Sequence, residues 1–264
     1  MKVAMTIAGS DSGGGAGIQA DLRTFAAHEV HGTCAITAVT AQSSVEVAAW
    51  VALAPEMVVK QMETVAADMP VAAAKTGMLA NAEIVAAVAE AVRRLAFPHL
   101  VVDPVMVAKG GHRLLTPEAE RAYLERLIPV ASVLTPNIPE AEALLGVSIR
   151  GVDDMRKAAR SLVARGARAV VVKGGHLDGE EAIDIFDDGR EAFELRAPRI
   201  ATRHTHGTGC TFSAAICARL ALGDPLAEAV RGAKAYLTEA VRGAYAVGRG
   251  HGPVDHLHPL RRRE

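Results

Sequence analysis

Aromatic side chains are scarce, at 3% of 264 residues, with one Trp, three Tyr and five Phe. That leaves few flat faces on which bases can stack and argues against a platform for single-stranded nucleic acid. Charge of one sign is also lacking: the formal net charge is −1, so no basic footprint for nucleic acid exists. The closing RRRE is a short solvated tail. Cysteine is limited to Cys34, Cys210 and Cys217. An odd count without C-x-x-C excludes a disulfide framework and a zinc site, and fits a reducing, cytoplasmic setting. No apolar run approaches the ~20 residues of a membrane helix, so no membrane role is expected. The opening MKVAMTIAGSD has too few apolar residues before Gly9 and Asp11 for a signal peptide and reads as a first strand.

What is present is alternation. Short β-rich runs, VAMTI (3–7), CAITAVTA (34–41), VAAAKTGML (71–79), HLVVDPVM (99–106), SVLTPN (132–137) and ARAVVVKGG (167–175), are separated by Ala-rich helical stretches. Helices are expected over GIQADLRTFAAH, after Pro55, over NAEIVAAVAEAVRRL with Asn81 as cap, over 153–166, and over 208–221 and 225–243. IDIFDDGREAFEL (183–195) reads as a hairpin about Asp188-Gly189. Continuous apolar strands alternating with helices predict an α/β fold: a mostly parallel central sheet covered by helices on both faces. With no repeat or low-complexity linker, one domain over 1–264 is expected. Residues 42–53 and 183–195 are the candidates for a sheet extension or a small lid.

In an open α/β sheet, ligands bind beyond the carboxyl ends of the strands. The polar residues expected there are Gly9-Ser10-Asp11, Gln42, Lys75, Asp103, Asn137, Lys173 and THGTGC (205–210). The early loop AGSDSGGGAG fails G-x-G-x-x-G, because the third position counted from Gly13 falls on Ile18. No acidic residue follows to hold a ribose, and the Walker pattern is absent too. That loop reads as a close-approach loop for a small ligand. The later loop is the better anion site. Gly207 and Gly209 permit close backbone approach, and the N–H groups of Gly207 to Cys210 stand where a helix begins and its dipole is positive. Phosphoryl transfer needs such a hole, because charge spreads over the transferred oxygens. Asn137 and Glu140 form N-x-x-E, which is equally a helix capping box. Asp103 can hold magnesium-bound water and Lys173 can neutralise phosphates; either alone is an ordinary charge at a strand end.

AGSDSGGGAGIQADLRTF, VTAQ, KTGML, VVDPVMVAKGG, LTPNIPEAEAL, VVVKGGH, THGTGCTFSAAI and GPVDH occur in order across nearly the whole chain. Together they resemble the hydroxymethylpyrimidine/phosphomethylpyrimidine kinases of thiamine biosynthesis, in the ribokinase superfamily; Gly13 departs slightly, where that family often has serine. The resemblance implies a ribokinase-like fold, ATP with Mg2+ as donor, and usually a homodimer. It implies phosphorylation of 4-amino-5-hydroxymethyl-2-methylpyrimidine and then of its monophosphate. Gln42 matches the glutamine that reads the aminopyrimidine, and Gly9, Asp21, Met78 and Val105 match other residues of the pyrimidine pocket. Asn137, Glu140 and Thr208 fall on the nucleotide side, with Glu140 and Asp103 toward magnesium through water. Lys173, Gly207, Gly209 and Cys210 fall where phosphoryl transfer takes place. VAKGGHRLL (107–115) matches a glycine-containing flap. Cys210 stands where sugar kinases of the superfamily carry an aspartate base, and the helix start is expected to supply some thiolate there. His206 is expected to shape the anion loop; HTH (204–206) and HLH (256–258) lack the further partner of a zinc site.

The nearest rival reading is a pyridoxal kinase of the same superfamily, against which Gln42 argues. A non-catalytic nucleotide-binding regulatory protein would not need Lys173, Asn137, Glu140 and the complete anion loop. A nicotinamide oxidoreductase lacks its fingerprint.

Overall fold

The computed structural model describes residues 1–106 and 116–261. Ten strands form: β1 (Val3–Ala8), β2 (His31–Ile36), β3 (Ala38–Gln42), β4 (Val47–Ala52), β5 (Val71–Thr76), β6 (Leu100–Val102), β7 (Val133–Leu134), β8 (Val170–Lys173), β9 (Glu181–Asp187) and β10 (Ala192–Pro198). Eight of them make one sheet in the order β10-β9-β8-β7-β6-β5-β1-β2. From β2 to β8 the pairs are parallel. β9 and β10 then add an antiparallel edge, as the Asp188-Gly189 turn predicts.

The central strands read as unbroken apolar runs because both of their faces are covered. Side chains alternate across the sheet and sort into two cores. Met5, Ile7, Ala74, Leu100, Val102, Leu134, Val170 and Val172 share one core with Val58, Met62, Ile84, Val88 and Leu162. These belong to α2 (Pro55–Asp68), α3 (Ala82–Leu95) and α6 (Val152–Ala164). Ala4, Ala73, Val101, Val133 and Val171 face the other way, against Phe25, Phe212, Ile216 and Val230. Those lie on α1 (Gly17–Ala27), α7 (Thr208–Leu222) and α8 (Leu226–Arg242). Two shorter helices, α4 (Pro117–Ala122) and α5 (Ile138–Leu145), complete the first layer.

The helix punctuation follows the sequence. The Asn81 side chain accepts from the Ile84 N–H at 2.9 Å, and Pro55 opens α2. The run CAITAVTA, expected as one strand, is instead cut at Thr37. There the backbone N–H donates to Ala8 O and the hydroxyl to Met78 O, at 2.6 Å. With those groups satisfied at the end of β1, the chain leaves the large sheet, and β3 pairs antiparallel with β4 as a separate ribbon.

One contact pins α1 to the sheet. Thr6 and Lys75 are register partners on β1 and β5, so both side chains emerge on the α1 side. Lys75 Nζ lies 2.8 Å from each Asp21 oxygen, and Thr6 Oγ1 donates to the same carboxylate at 2.6 Å. Both charged side chains are fully buried. Burial raises the Asp21 carboxyl, while Lys75 and Thr6 pull it back. Burial would lower the Lys75 ammonium, but Asp21 and the nearby Cys210 and Asp103 hold it above its ordinary value. The carboxyl stays above its ordinary value overall, but the 2.8 Å contacts make the two side chains a buried ion pair, and removing one partner strands the other. Lys75→Met should cost about 3–5 kcal/mol in urea unfolding, with most of it regained in Asp21→Leu/Lys75→Met. A loss below about 1 kcal/mol in the single variant would contradict this account.

Candidate active site

Four consecutive parallel strands deliver polar residues to one edge. Gly77-Met78 follow β5, Asp103 follows β6, Asn137 stands three residues past β7, and Lys173 ends β8. Lys173 Nζ donates to Asp103 Oδ1 at 2.9 Å. Asp103 also accepts from Thr135 Oγ1 at 3.3 Å and, on its other oxygen, from Ser213 Oγ at 3.2 Å. Burial raises the Asp103 carboxyl, but Lys173 and Lys75 outweigh it and hold it below the usual range. Lys173 is raised in turn, because Asp103 and Glu140 overcome its desolvation.

That ammonium sits over the start of α7. A Cβ built on Gly209 would lie 3.4 Å from Lys173 Nζ and 3.6 Å from Asp103 Oδ2. Gly207 precedes the helix with φ +80°, and a Cβ there would collide with Gly15 O. A side chain is excluded by both conformation and space. Thr208 N–H turns toward Thr205 O at 3.5 Å, so not every N–H of the loop is directed outward. The N–H groups of the first helical turn lack an intrahelical partner, and a lysine beside them deepens the positive potential. The arrangement suits a phosphate.

Asn137 and Glu140 form the complete capping box of α5. Glu140 N–H donates to Asn137 Oδ1 at 2.9 Å, and Asn137 N–H donates to Glu140 Oε2 at 2.7 Å. The capping role and a role in the site coexist. Burial pushes the Glu140 carboxyl up to about 7; Lys173 lowers it, and Asp103 adds repulsion. Two buried carboxyl groups that disfavour each other's charge fit a divalent cation. No cluster of three His, Cys, Asp or Glu side chains that could hold a metal exists among the described residues. The donor set therefore suits magnesium held through water and phosphate oxygens rather than a protein cage.

The early loop is organised by Asp11, whose wider role sequence reasoning missed. Its carboxylate accepts from the N–H groups of Gly13, Gly15 and Ala16 at 2.8–3.0 Å. His206 Nε2 lies 3.0 Å from Oδ2, which ties the early loop to the anion loop. Burial would raise Asp11, but His206 and the loop amides hold it low. The only hint in the sequence was Asp ahead of a glycine run, an Asx-turn signal. The loop also carries β3: Ser12 Oγ donates to Gln42 O, and Thr40 Oγ1 donates to Ser10 O. Gln42 is thereby placed beside His206, with its side chain 3.4 Å from Nε2. A Cβ on Gly9 would lie 3.0 Å from Met78 Cε, so Gly9 and Met78 form one wall. Val105 stands two residues after Asp103, donates its N–H to Asp103 O at 2.9 Å and is half-buried.

Three expectations need correction. Asp21 lines no open surface; it is fully buried beneath the site, on Lys75 and Thr6. Lys75 likewise lies under the edge rather than on it. Cys210 is no source of thiolate: burial pushes its thiol up to about 11, with Asp21 and Asp103 adding to this against the pull of Lys75. Val107 to Leu115, the expected flap, lie outside the described residues.

A mostly parallel sheet, a glycine-gated helix start at its carboxyl edge and a paired lysine beside it define a ribokinase-like small-molecule kinase. The phosphomethylpyrimidine kinase model matches residues 11–255. The hydroxymethylpyrimidine/phosphomethylpyrimidine kinase of Rhizobium meliloti is 51% identical over 97% of both chains. The ADP complex of Bacillus subtilis pyridoxal kinase superposes with TM-score 0.92 at 40% identity over the whole of both chains. The phosphomethylpyrimidine kinase of Clostridium difficile gives TM-score 0.82 at 44% identity, over 91% of this chain and 100% of its own. This chain belongs to the phosphomethylpyrimidine kinase family.

The state of Cys210 is measurable. A thiol with a raised folded-state pKa reacts only as pH climbs toward that value. Alkylation of Cys210 by iodoacetamide, followed by peptide mass mapping, should be roughly a hundredfold slower at pH 8 than for a free cysteine. It should rise about tenfold per pH unit up to pH 10. A rate already on its plateau at pH 8 would overturn the assignment.

Proposed function

We propose that this chain transfers the terminal phosphoryl group of ATP to the hydroxymethyl group of 4-amino-5-hydroxymethyl-2-methylpyrimidine and then to the resulting monophosphate, in thiamine biosynthesis. The observation that carries the reading is the Lys173 ammonium over Gly209 at the start of α7, held charged by Asp103. Phosphoryl transfer passes through a loose transition state, so catalysis consists of positioning and charge stabilisation. Lys173 and the Gly207–Cys210 loop hold the transferred oxygens. Thr208, Asn137 and Glu140 face the nucleotide, which the ADP-bound relative supports as the donor. Glu140 and Asp103 would hold Mg2+ through water, and that ion would neutralise phosphate charge. Gln42 reads the aminopyrimidine edge with one acceptor and one donor. Gly9, Met78 and Val105 enclose the ring, and Asp21 supports it from below through Lys75.

The two substrates present different nucleophiles. A phosphate monoester has a second pKa of about 6 and attacks without a base. A carboxylate at position 210 would repel it in a poorly solvated site. The neutral Cys210 thiol accepts either an alcohol or a phosphate beside it. Pyridoxal turnover is a second reading, favoured by the 40% identity to a pyridoxal kinase over the whole chain. A non-catalytic regulatory role is disfavoured by the intact Lys173–Asp103 pair.

The reading includes one kinase domain, supported by a single eight-stranded sheet that carries both cores. It also includes a cytoplasmic setting, supported by the free thiols Cys34, Cys210 and Cys217. No described helix is long and apolar enough to cross a membrane. A homodimer is part of the proposal too. The β3–β4 ribbon has no core of its own and leaves Val39, Val47, Trp50 and Val51 exposed. Such a patch gains most by pairing with its own copy.

ADP release with the hydroxymethylpyrimidine, its monophosphate and pyridoxal tests the activity; absence of turnover on the first two would refute it. Lys173→Met should lower kcat on both by at least about 100-fold. Trp50→Glu should shift the sedimenting species from dimer to monomer, and a wild-type monomer would remove the dimer from the proposal.

A further inference from the structure

The carboxamide of Gln42 has two ends of nearly the same shape, so its hydrogen-bonding neighbours decide which end points where. Two neighbours touch it: His206 Nε2 at 3.4 Å from one end and Thr40 Oγ1 at 3.5 Å from the other. Each has a single proton that goes first to another partner. Asp11 is a carboxylate with no proton to give, so its 3.0 Å contact with His206 requires a hydrogen on Nε2. A nitrogen that carries hydrogen has no lone pair in reserve, and a Gln42 NH2 facing it would set donor against donor. Thr40 has one hydroxyl hydrogen, which goes to Ser10 O at 2.8 Å. A Gln42 oxygen facing that hydroxyl would set acceptor against acceptor. Turning the amide over removes both conflicts together.

We infer that His206 is a positioning residue for substrate choice: with its Nε2–H anchored on Asp11, it holds the Gln42 oxygen toward itself and turns the Gln42 NH2 toward Thr40. The single Nε2 hydrogen is shared, mainly with Asp11 at 3.0 Å and more weakly with the Gln42 end 3.4 Å away, so the amide keeps one lone pair on the His206 side and one N–H on the Thr40 side. The complementary ligand edge has a donor toward His206 and an acceptor toward Thr40. In a 4-aminopyrimidine these are the amino group and the adjacent ring nitrogen. A 4-oxopyrimidine has the opposite pattern, with a carbonyl acceptor beside a ring N–H, and meets mismatches at both ends. Without the histidine, either amide orientation is open and the discrimination falls. Three features hold the ring in place: the Asp11 contact, the backbone bond from His206 N–H to Gly252 O at 3.1 Å, and Gly15, whose missing Cβ leaves room for the ring.

This inference rests on the proposed activity. The test compares 4-amino- and 4-oxo-5-hydroxymethyl-2-methylpyrimidine as phosphoryl acceptors for wild type, His206→Phe, Gln42→Ala and the double variant. His206→Phe keeps a ring but loses the donor. Wild type should favour the amino compound in kcat/KM by at least about 100-fold. His206→Phe should shrink that ratio at least about tenfold, with the loss on the amino compound falling on KM rather than kcat. In the Gln42→Ala background, His206→Phe should leave the ratio unchanged. An unchanged ratio in folded His206→Phe, or an equal shift with and without Gln42, would overturn the inference. A loss in kcat shared by both compounds would show that His206 only shapes the loop. If His206→Phe does not fold, His206→Asn serves, since it keeps a donor for Asp11 but is too short to reach Gln42. Failure of wild type to turn over the amino compound would instead refute the activity itself.

Discussion

Two lysines are kept charged inside this protein by one carboxylate each, and the site depends on both pairs. Lys75–Asp21 is fully buried and fastens α1 under the sheet edge. Lys173–Asp103 stands at the edge, half a layer higher in function, where its ammonium faces the start of α7. Neither cation would survive alone at such depth, because desolvation favours the neutral amine. The carboxylates reverse that preference. The result is a fixed positive potential at a helix start whose own dipole favours anions, and it needs no rearrangement when charge develops on a phosphoryl group.

The same potential explains the chemistry of the neighbours. Glu140 caps α5 with Asn137, and burial and Asp103 both disfavour its charge. In the proposed reaction a cation offered from the nucleotide side would relieve that cost, and the helix punctuation would then also serve as metal anchorage. Cys210 lies between the two lysine pairs and remains a neutral thiol, because its burial exceeds what Lys75 returns. Its neutrality matters most for a second nucleophile that is itself an anion.

Substrate choice is built separately, on hydrogen bonds rather than charge. Asp11 collects three loop amides and His206, and so joins the two glycine loops into one frame around Gln42. The ribbon that brings Gln42 there exists only because Thr37 satisfies Ala8 and Met78 and releases the chain from the main sheet.

Much of this was legible in the order of residues. Alternating apolar strands and Ala-rich helices require a covered parallel sheet, and strand ends place Asp103, Asn137 and Lys173 on one edge whatever the packing details. Glycines at 207 and 209 before an apolar helix state an anion loop by local geometry alone. What sequence could not supply was the partner of each charge. Lys75 and Lys173 both end parallel strands and look alike on paper, yet one is buried under α1 and the other meets the site. Asp21 reads as a pocket residue until its 2.8 Å contacts with Lys75 are seen. The thiol at 210 looks activated by its helix start until its burial is known. Backbone periodicity and turn chemistry are local and survive in the sequence. Desolvation and ion pairing join residues as far apart as Asp11 and His206, and only the folded chain decides them.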